Sequence, residues 1–206
     1  MRAELDALIC SGARRGRQFT YALLDERVPA AGPFHRDTAL ADLTRRYFTS
    51  HGPATAHDFA WWSGLTMADV RAGLDMAGSG LESETIDGRT WWFAARTATR
   101  RTPKPHGVRL LPNYDEHIVA YRDHGPSLHP DVAKQSNVIG NALAAHIIVK
   151  DGLVMGGWRR TEQNKRVIVK TRLLVPLGRN GRSELDAAAA SYARFLGLAV
   201  QLDTGV

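Results

Sequence analysis

Gly52-Pro53-Ala54-Thr55-Ala56-His57-Asp58-Phe59-Ala60-Trp61-Trp62-Ser63-Gly64-Leu65-Thr66-Met67-Ala68-Asp69 holds two helix starts separated by one tight turn. Thr55-x-x-Asp58 and Thr66-x-x-Asp69 both have the form of a capping box. In that motif the hydroxyl accepts from a backbone N–H one turn on, and the carboxylate reaches back to the cap. Ser63-Gly64-Leu65 turns the chain between them. The first helix carries Phe59 and Trp62, and the second places Val70 and Leu74 on its buried side. Upstream, Asp37 and Thr38 offer an N-cap to a helix with Leu40, Leu43 and Tyr47 on one face, which Gly52-Pro53 ends. Downstream of Gly78-Ser79-Gly80, two alternating runs at 81–86 and 89–94 flank Asp87-Gly88, a dipeptide that suits a two-residue turn with positive φ at both positions. From 37 to 95 the order is helix, turn, helix, tight turn, helix and hairpin. This is the order of a winged helix-turn-helix, a DNA-binding pattern first and a protein-docking pattern second.

The chain of 206 residues can bury a substantial core in one or two domains. It carries 27 Lys and Arg against 21 Asp and Glu, and 22 of the 27 are Arg. Guanidinium forks suit phosphate, so the balance fits a nucleic-acid partner; a genome rich in G and C accounts for it equally well. A single cysteine, Cys10, excludes an internal disulfide and paired thiolate ligands. His51 and His57 straddle a Gly-Pro break too loosely for a metal site. Neither metal nor cofactor is expected. No apolar run approaches the roughly 20 residues needed to span a bilayer, and acidic residues come too early for a signal peptide. A soluble, cytoplasmic protein without a membrane partner is expected.

Near the N-terminus, Leu5, Leu8 and Ile9 fall on one helical face. Residues 10–16 read as a loop, and 17–24 alternate like a strand. Tyr21-Ala22-Leu23-Leu24 then stands where Trp92-Phe93-Ala94-Ala95 stands later. We read residues 3–28 as the last helix and wing of a second, partial winged-helix unit. So short a piece must pack on the rest of the chain or on a second copy, as in a homodimer. The alternative is a simple N-terminal arm. Arg14, Arg15 and Arg17 occupy the tip of that wing, where arginines reach phosphate or the minor groove; a solvated loop would look the same. Residues 28–33 form a linker.

In the third central helix, the groove-facing positions are Met67, Ala68, Asp69, Arg71, Ala72 and Asp75. They include no Asn, Gln or Lys for bidentate base pairing, which argues against sequence-specific readout. Trp61-Trp62 and Trp91-Trp92 could stack on bases. More commonly such pairs place one ring in the core and one at a partly covered surface.

Residues 96–105 are a polar connector with Arg100, Arg101 and Lys104. Beyond it, strands at 146–149 and 153–158 flank Asp151-Gly152, a second hairpin signal. Residues 166–175 alternate Val167, Val169, Thr171 and Leu173 against Arg166, Ile168, Lys170 and Arg172, a half-exposed strand with a basic outer face. Ser183-Glu184-Leu185-Asp186 is a further capping box, opening an Ala-rich helix to Phe195. Val200 and Leu202 return to the sheet.

Leu110-Leu111-Pro112-x-Tyr114-Asp115-Glu116, Tyr121-Arg122-Asp123, Asp151-Gly152 and Gly156-Gly157-Trp158-Arg159-Arg160-Thr161 together resemble the winged-helix DNA-binding family typified by the AlkZ and YcaQ DNA glycosylases. Tyr47-Phe48, Gly52-Pro53-Ala54-Thr55 and Trp61-Trp62-Ser63-Gly64-Leu65 resemble the same family. The resemblance implies tandem winged helices and a β-rich domain around a basic duplex-binding channel, in enzymes that excise alkylated bases and unhook interstrand crosslinks. Those enzymes carry Gln-x-Gln or Gln-x-Asp ahead of every motif matched here. Gln201-Leu202-Asp203 has such letters at the wrong end of the chain. Asp115 and Glu116 are the weak catalytic candidates, since a glycosylase needs a carboxylate or amide near its attacking water. Adjacent residues point apart, so capping the next segment and pairing with Arg109 or Arg122 is the plainer role.

The expected fold is α+β: a partial winged-helix unit at 1–33, a winged helix-turn-helix at 34–98, and at 99–206 a curled antiparallel sheet with a closing C-terminal helix. Placed first is a protein that binds double-stranded DNA through phosphates with little sequence readout and no catalysis of its own. The contacting side chains are Arg14, Arg15, Arg17, Arg71, Arg100, Arg101, Arg159, Arg160, Lys165, Arg166, Lys170 and Arg172. A DNA glycosylase is the alternative, and an oligomerising or protein-docking remnant the third reading.

Overall fold

The computed structural model describes residues 2–29, 32, 35–95, 106–135 and 146–204. Arg100, Arg101 and the rest of the connector lie outside them. Met1–Ala39 and Leu40–Val206 are two compact units. In the first, α1 (Arg2–Leu5) precedes an antiparallel hairpin of β1 (Ile9–Ser11) and β2 (Tyr21–Leu23), then the single turn α2 (Leu24–Arg27). The expected helical face of Leu5, Leu8 and Ile9 does not form. Strand pairing claims Ile9 and Cys10 opposite Leu23 and Ala22, and Leu5 and Leu8 are exposed. A segment this short does not recover the cost of helix nucleation, so the hairpin wins.

The second unit opens within α3 (Arg36–His51). The helix starts ahead of Asp37 and Thr38, which lie in its first turn, because the Ala39 N–H already donates to the His35 carbonyl. Next come β3 (Ala54–Thr55), α4 (Ala56–Ser63), α5 (Met67–Ala77), β4 (Leu81–Ile86) and β5 (Arg89–Ala94). Both threonine caps form: the Thr55 and Thr66 hydroxyls accept from the N–H groups of Asp58 and Asp69 at 3.2 Å each. Asp87 and Gly88 take φ of 50° and 74°, the turn their identities require. The strand β3, too short to register as a pattern, pairs with β5 and completes a sheet of order β3-β5-β4. Tyr47, Phe48, Phe59, Val70, Leu74 and Leu81 fill the core between sheet and helices. Gly52 crosses β5 at a distance only glycine tolerates. A Cβ there would stand 2.3 Å from the Phe48 carbonyl oxygen and 2.9 Å from Phe93 Cα.

Among the described residues, the remaining α-helices and strands are β6 (Val108–Leu111), α6 (Glu116–Val119), α7 (Pro130–Ala133), β7 (Ile147–Lys150), β8 (Leu153–Gln163), β9 (Arg166–Leu173), α8 (Gly181–Leu196) and β10 (Ala199–Thr204). The five strands run in the order β10-β9-β8-β7-β6. The expected all-antiparallel sheet is corrected at one edge: β10 lies parallel to β9, since α8 carries the chain back to where β9 began. α8 starts at Gly181 rather than at Ser183, whose hydroxyl donates to the Asn180 carbonyl instead of capping. β8 extends to Gln163, and its hairpin with β9 turns at Asn164 and Lys165 with φ of 45° and 61°. Lacking glycine, that turn has no clear signature in the sequence. Val167 and Val169 face inward onto Leu185, Ala189 and Ala193 of α8.

Candidate nucleic-acid interface

The strand alternation of β9 decides where the cations point. Val167, Val169 and Thr171 are buried, which leaves Arg166, Ile168, Lys170 and Arg172 on the other face. Cross-strand register extends that face over its neighbours. Arg159 of β8 stands opposite Lys170, and Asp203 of β10 flanks Lys170 from the other side. Arg159, Arg166, Lys170 and Arg172 therefore share one exposed surface. The Lys170 ammonium lies 3.5 Å from the Asp203 carboxylate, and Arg166 reaches Gln201 at 3.5 Å. Among the described residues, Arg159 and Arg172 have no acidic partner. Gln201 and Asp203 thus act as neighbours of the basic strip.

Arg160, expected alongside Arg159, lies on the other face of the sheet. It pairs in register with buried Val169, so its side chain turns to the opposite face, donates to the Tyr192 hydroxyl and lies 5.8 Å from that ring. A period of two separates adjacent arginines onto opposite faces, and only register says which one is outside. Lys165 is exposed in the β8–β9 turn. In the first unit, Arg14, Arg15 and Arg17 are exposed between β1 and β2, with Arg14 stacked 4.5 Å over the Phe19 ring.

The two weak catalytic candidates do separate. Asp115 caps α6, accepting from the His117 N–H at 3.0 Å. The Glu116 carboxylate accepts from Trp62 Nε1 at 3.1 Å and lies 3.3 Å from His51 Nε2. Neither pairs with Arg109 or Arg122, the partners expected for them. Glu116 instead closes an aromatic cluster in which Tyr47 stacks on His51 at 5.0 Å and meets Phe59 at 4.9 Å and Trp62 at 5.1 Å. Trp61 is exposed and Trp62 and Trp92 pack on the core, the expected division of such pairs.

That cluster is the joint between the helical half of the unit and its five-stranded half, and sequence reasoning missed it. The Tyr47 hydroxyl donates to the Ala120 carbonyl at 2.8 Å, and the Tyr121 hydroxyl to the His51 carbonyl at 2.9 Å. Asp58 is only 2% exposed. Its Oδ2 accepts from the Thr55 N–H at 2.9 Å and the Thr55 hydroxyl at 2.7 Å. Its Oδ1 accepts from the N–H groups of Arg122 at 2.9 Å and Asp123 at 3.3 Å. The residue visible as a helix cap is also the clamp on a segment 64 residues away.

Burial raises the Tyr47 phenol well above its ordinary value, and the charges of Asp58, Tyr121 and Glu116 add to the effect. Tyr121 is raised by burial, then by Asp58 and Glu116. Both folded values lie above the unfolded ones. Their contribution to stability is therefore complete below about pH 10 and is lost as pH rises past it. Tyr47→Phe should unfold with a shallower alkaline decline than wild type in urea titrations above about pH 10; parallel curves would remove Tyr47 from this role.

Arg71 of α5 lines a concavity of about 740 Å³ with His57, Asp58, Arg89, Thr90 and Arg122 among its walls. Arg89 is engaged by Asp123, whose carboxyl is held below its usual range first by that hydrogen bond. Among the described residues, no three His, Cys, Asp or Glu side chains are placed to hold a metal ion, and no helix is long and apolar enough to cross a membrane.

A chain of known structure, the DNA glycosylase AlkZ of Streptomyces sahachiroi, shares this fold with a TM-score of 0.72 at 22% identity, over 95% of this chain and 54% of that one. An interstrand DNA cross-link repair glycosylase of the same organism is 25% identical over 168 residues, which cover 76% of this chain and 44% of the relative. The chain thus spans about half the length of the relatives it matches. The family described as DNA glycosylase AlkZ-like matches residues 1–195. On that match, the chain belongs to the AlkZ-like DNA glycosylase family.

Proposed function

We propose that this chain is the duplex-binding part of a DNA-repair glycosylase acting on alkylated bases or interstrand crosslinks, and that it holds DNA through backbone phosphates with little sequence readout. The observation that carries the reading is the shared exposed face of Arg159, Arg166, Lys170 and Arg172. Family membership and the role of the Streptomyces sahachiroi relative as an interstrand DNA cross-link repair glycosylase support the substrate class. We read the elements from α3 to β5 as the complete winged helix-turn-helix, with 1–33 as the partial unit and 99–206 as the β-rich domain. The two separate apolar clusters, one about Tyr47 and Phe59 and one about Val167 and Val169, support the division near residue 98. Two carboxylates and one arginine at the start of α5 favour a supporting role for that helix over base readout.

The test is anisotropy of a labelled undamaged duplex against salt, using the whole chain. Affinity should fall linearly in log–log form with a slope near −0.9 per phosphate contact, and unrelated duplex sequences should compete equally. A salt-independent Kd overturns the reading. The same preparation incubated with a duplex carrying N7-alkylguanine, scored for abasic sites, measures whether excision resides in this chain.

A further inference from the structure

The concavity beside α5 carries an inference that rests on the DNA-binding reading and extends it. Its walls bring together the start of α4, the first turns of α5, the β4–β5 turn and residues 122–123. Small-molecule pockets are mostly apolar with a few polar groups. Seven of the twelve residues lining this one carry charged or hydroxyl side chains, which admits an ionic ligand.

The ion pairing inside it is uneven. Arg89 is neutralised by Asp123. Both oxygens of Asp58 are already occupied by Thr55 and by the backbone of Arg122 and Asp123. Among the described residues, Arg71 and Arg122 have no acidic partner, and both line the same concavity. Each stands on fixed backbone. Arg71 lies within the helix α5, and the Arg122 N–H is anchored on buried Asp58. Two exposed guanidinium forks on anchored backbone, left without counter-charge beside one concavity, can converge on a tetrahedral oxyanion.

We propose that this concavity seats one backbone phosphodiester of a DNA strand between Arg71 and Arg122. The seat gives the central helices a positioning contact of their own, separate from the basic sheet face. It also assigns Arg122 to recognition, where the sequence pointed to Arg71 alone. Because both arginines serve a single phosphate, their effects are not additive.

The test measures duplex affinity against salt for the whole chain, as wild type, Arg71→Gln, Arg122→Gln and the double variant. The double variant is expected to bind about tenfold more weakly at low salt, with its slope reduced by about 0.9, one phosphate's worth. Each single variant should already show most of that loss. Both side chains are exposed, so the variants should keep the wild-type thermal midpoint. Thr90→Glu, which adds a carboxylate to the wall without touching either arginine, should weaken binding similarly. Wild-type chain that binds no duplex overturns the DNA reading and the seat with it. Wild-type binding that the double variant and Thr90→Glu match in affinity and slope overturns the seat alone. A slope loss near 1.8, additive over the two arginines, means two separate phosphates and also overturns it. Inorganic phosphate that protects wild type but not the double variant from heat, while both bind duplex equally, marks a free-ion site and overturns the assignment to DNA.

Discussion

Alanine at Arg159, Arg166, Lys170 and Arg172 together is expected to lower duplex affinity a hundredfold or more, on the order of 1 kcal/mol per lost phosphate contact at low salt. The slope of log affinity against log salt should fall by about 3. The three arginines contribute about 0.9 each, and Lys170 contributes less because Asp203 already neutralises part of its charge. Arg160→Ala is the control matched to Arg159→Ala. Each removes one unit of charge from β8, but Arg160→Ala removes it from the face turned to Tyr192. Its binding should stay within about twofold of wild type, with any loss appearing in stability through the Tyr192 contact. Anisotropy titrations at several salt concentrations read both numbers. Equal effects of Arg160→Ala and Arg159→Ala would mean that net charge, rather than the sheet face, governs binding.

The largest effect on stability belongs to Asp58→Ala. The substitution removes the carboxylate half of the capping box, while the Thr55 hydroxyl still caps the residue-58 N–H, and it leaves the N–H groups of Thr55, Arg122 and Asp123 without their acceptor. Each buried backbone donor left without an acceptor costs about 1–3 kcal/mol, and about 3 kcal/mol in total is expected here. Asp58→Asn should recover part of this. One amide oxygen can still accept from the 122–123 backbone, while the NH2 group is turned against the Thr55 N–H and loses that half of the capping box. Urea unfolding gives both values. A cost for Asp58→Ala below about 1 kcal/mol would reduce the residue to an ordinary surface cap.

What the sequence disclosed was local chemistry. The Thr55 and Thr66 caps, the Asp87-Gly88 and Asp151-Gly152 turns and the β9 alternation from Arg166 to Arg172 all follow from residues within a few positions of one another, and all form; Leu173, grouped with the inward residues, is exposed where the strand ends. The N-terminal helix was misread because apolar spacing over seven residues cannot compete with a hairpin partner twelve residues away. That Arg160 lies on the face opposite Arg159 is illegible locally, because adjacent residues on a strand are distinguished by pairing register, which only the neighbouring strand supplies. The interface was half legible. Arg166, Lys170 and Arg172 declare themselves at period two, but Arg159 joins them only through β8. The pocket residues Arg89 and Arg122 are 33 positions apart in sequence and meet through Asp123 and Asp58, contacts with no local signature.

The double use of Asp58 has a consequence for how the molecule breathes. A helix end ordinarily frays by itself, at little cost to the rest of the fold. Here the first turn of α4 cannot loosen without releasing the amides of Arg122 and Asp123, and with them the wall that carries Arg122. Cap and clamp open as one cooperative element. The most fray-prone turn of the central helices is therefore tied to the stability of a segment in the other half of the unit.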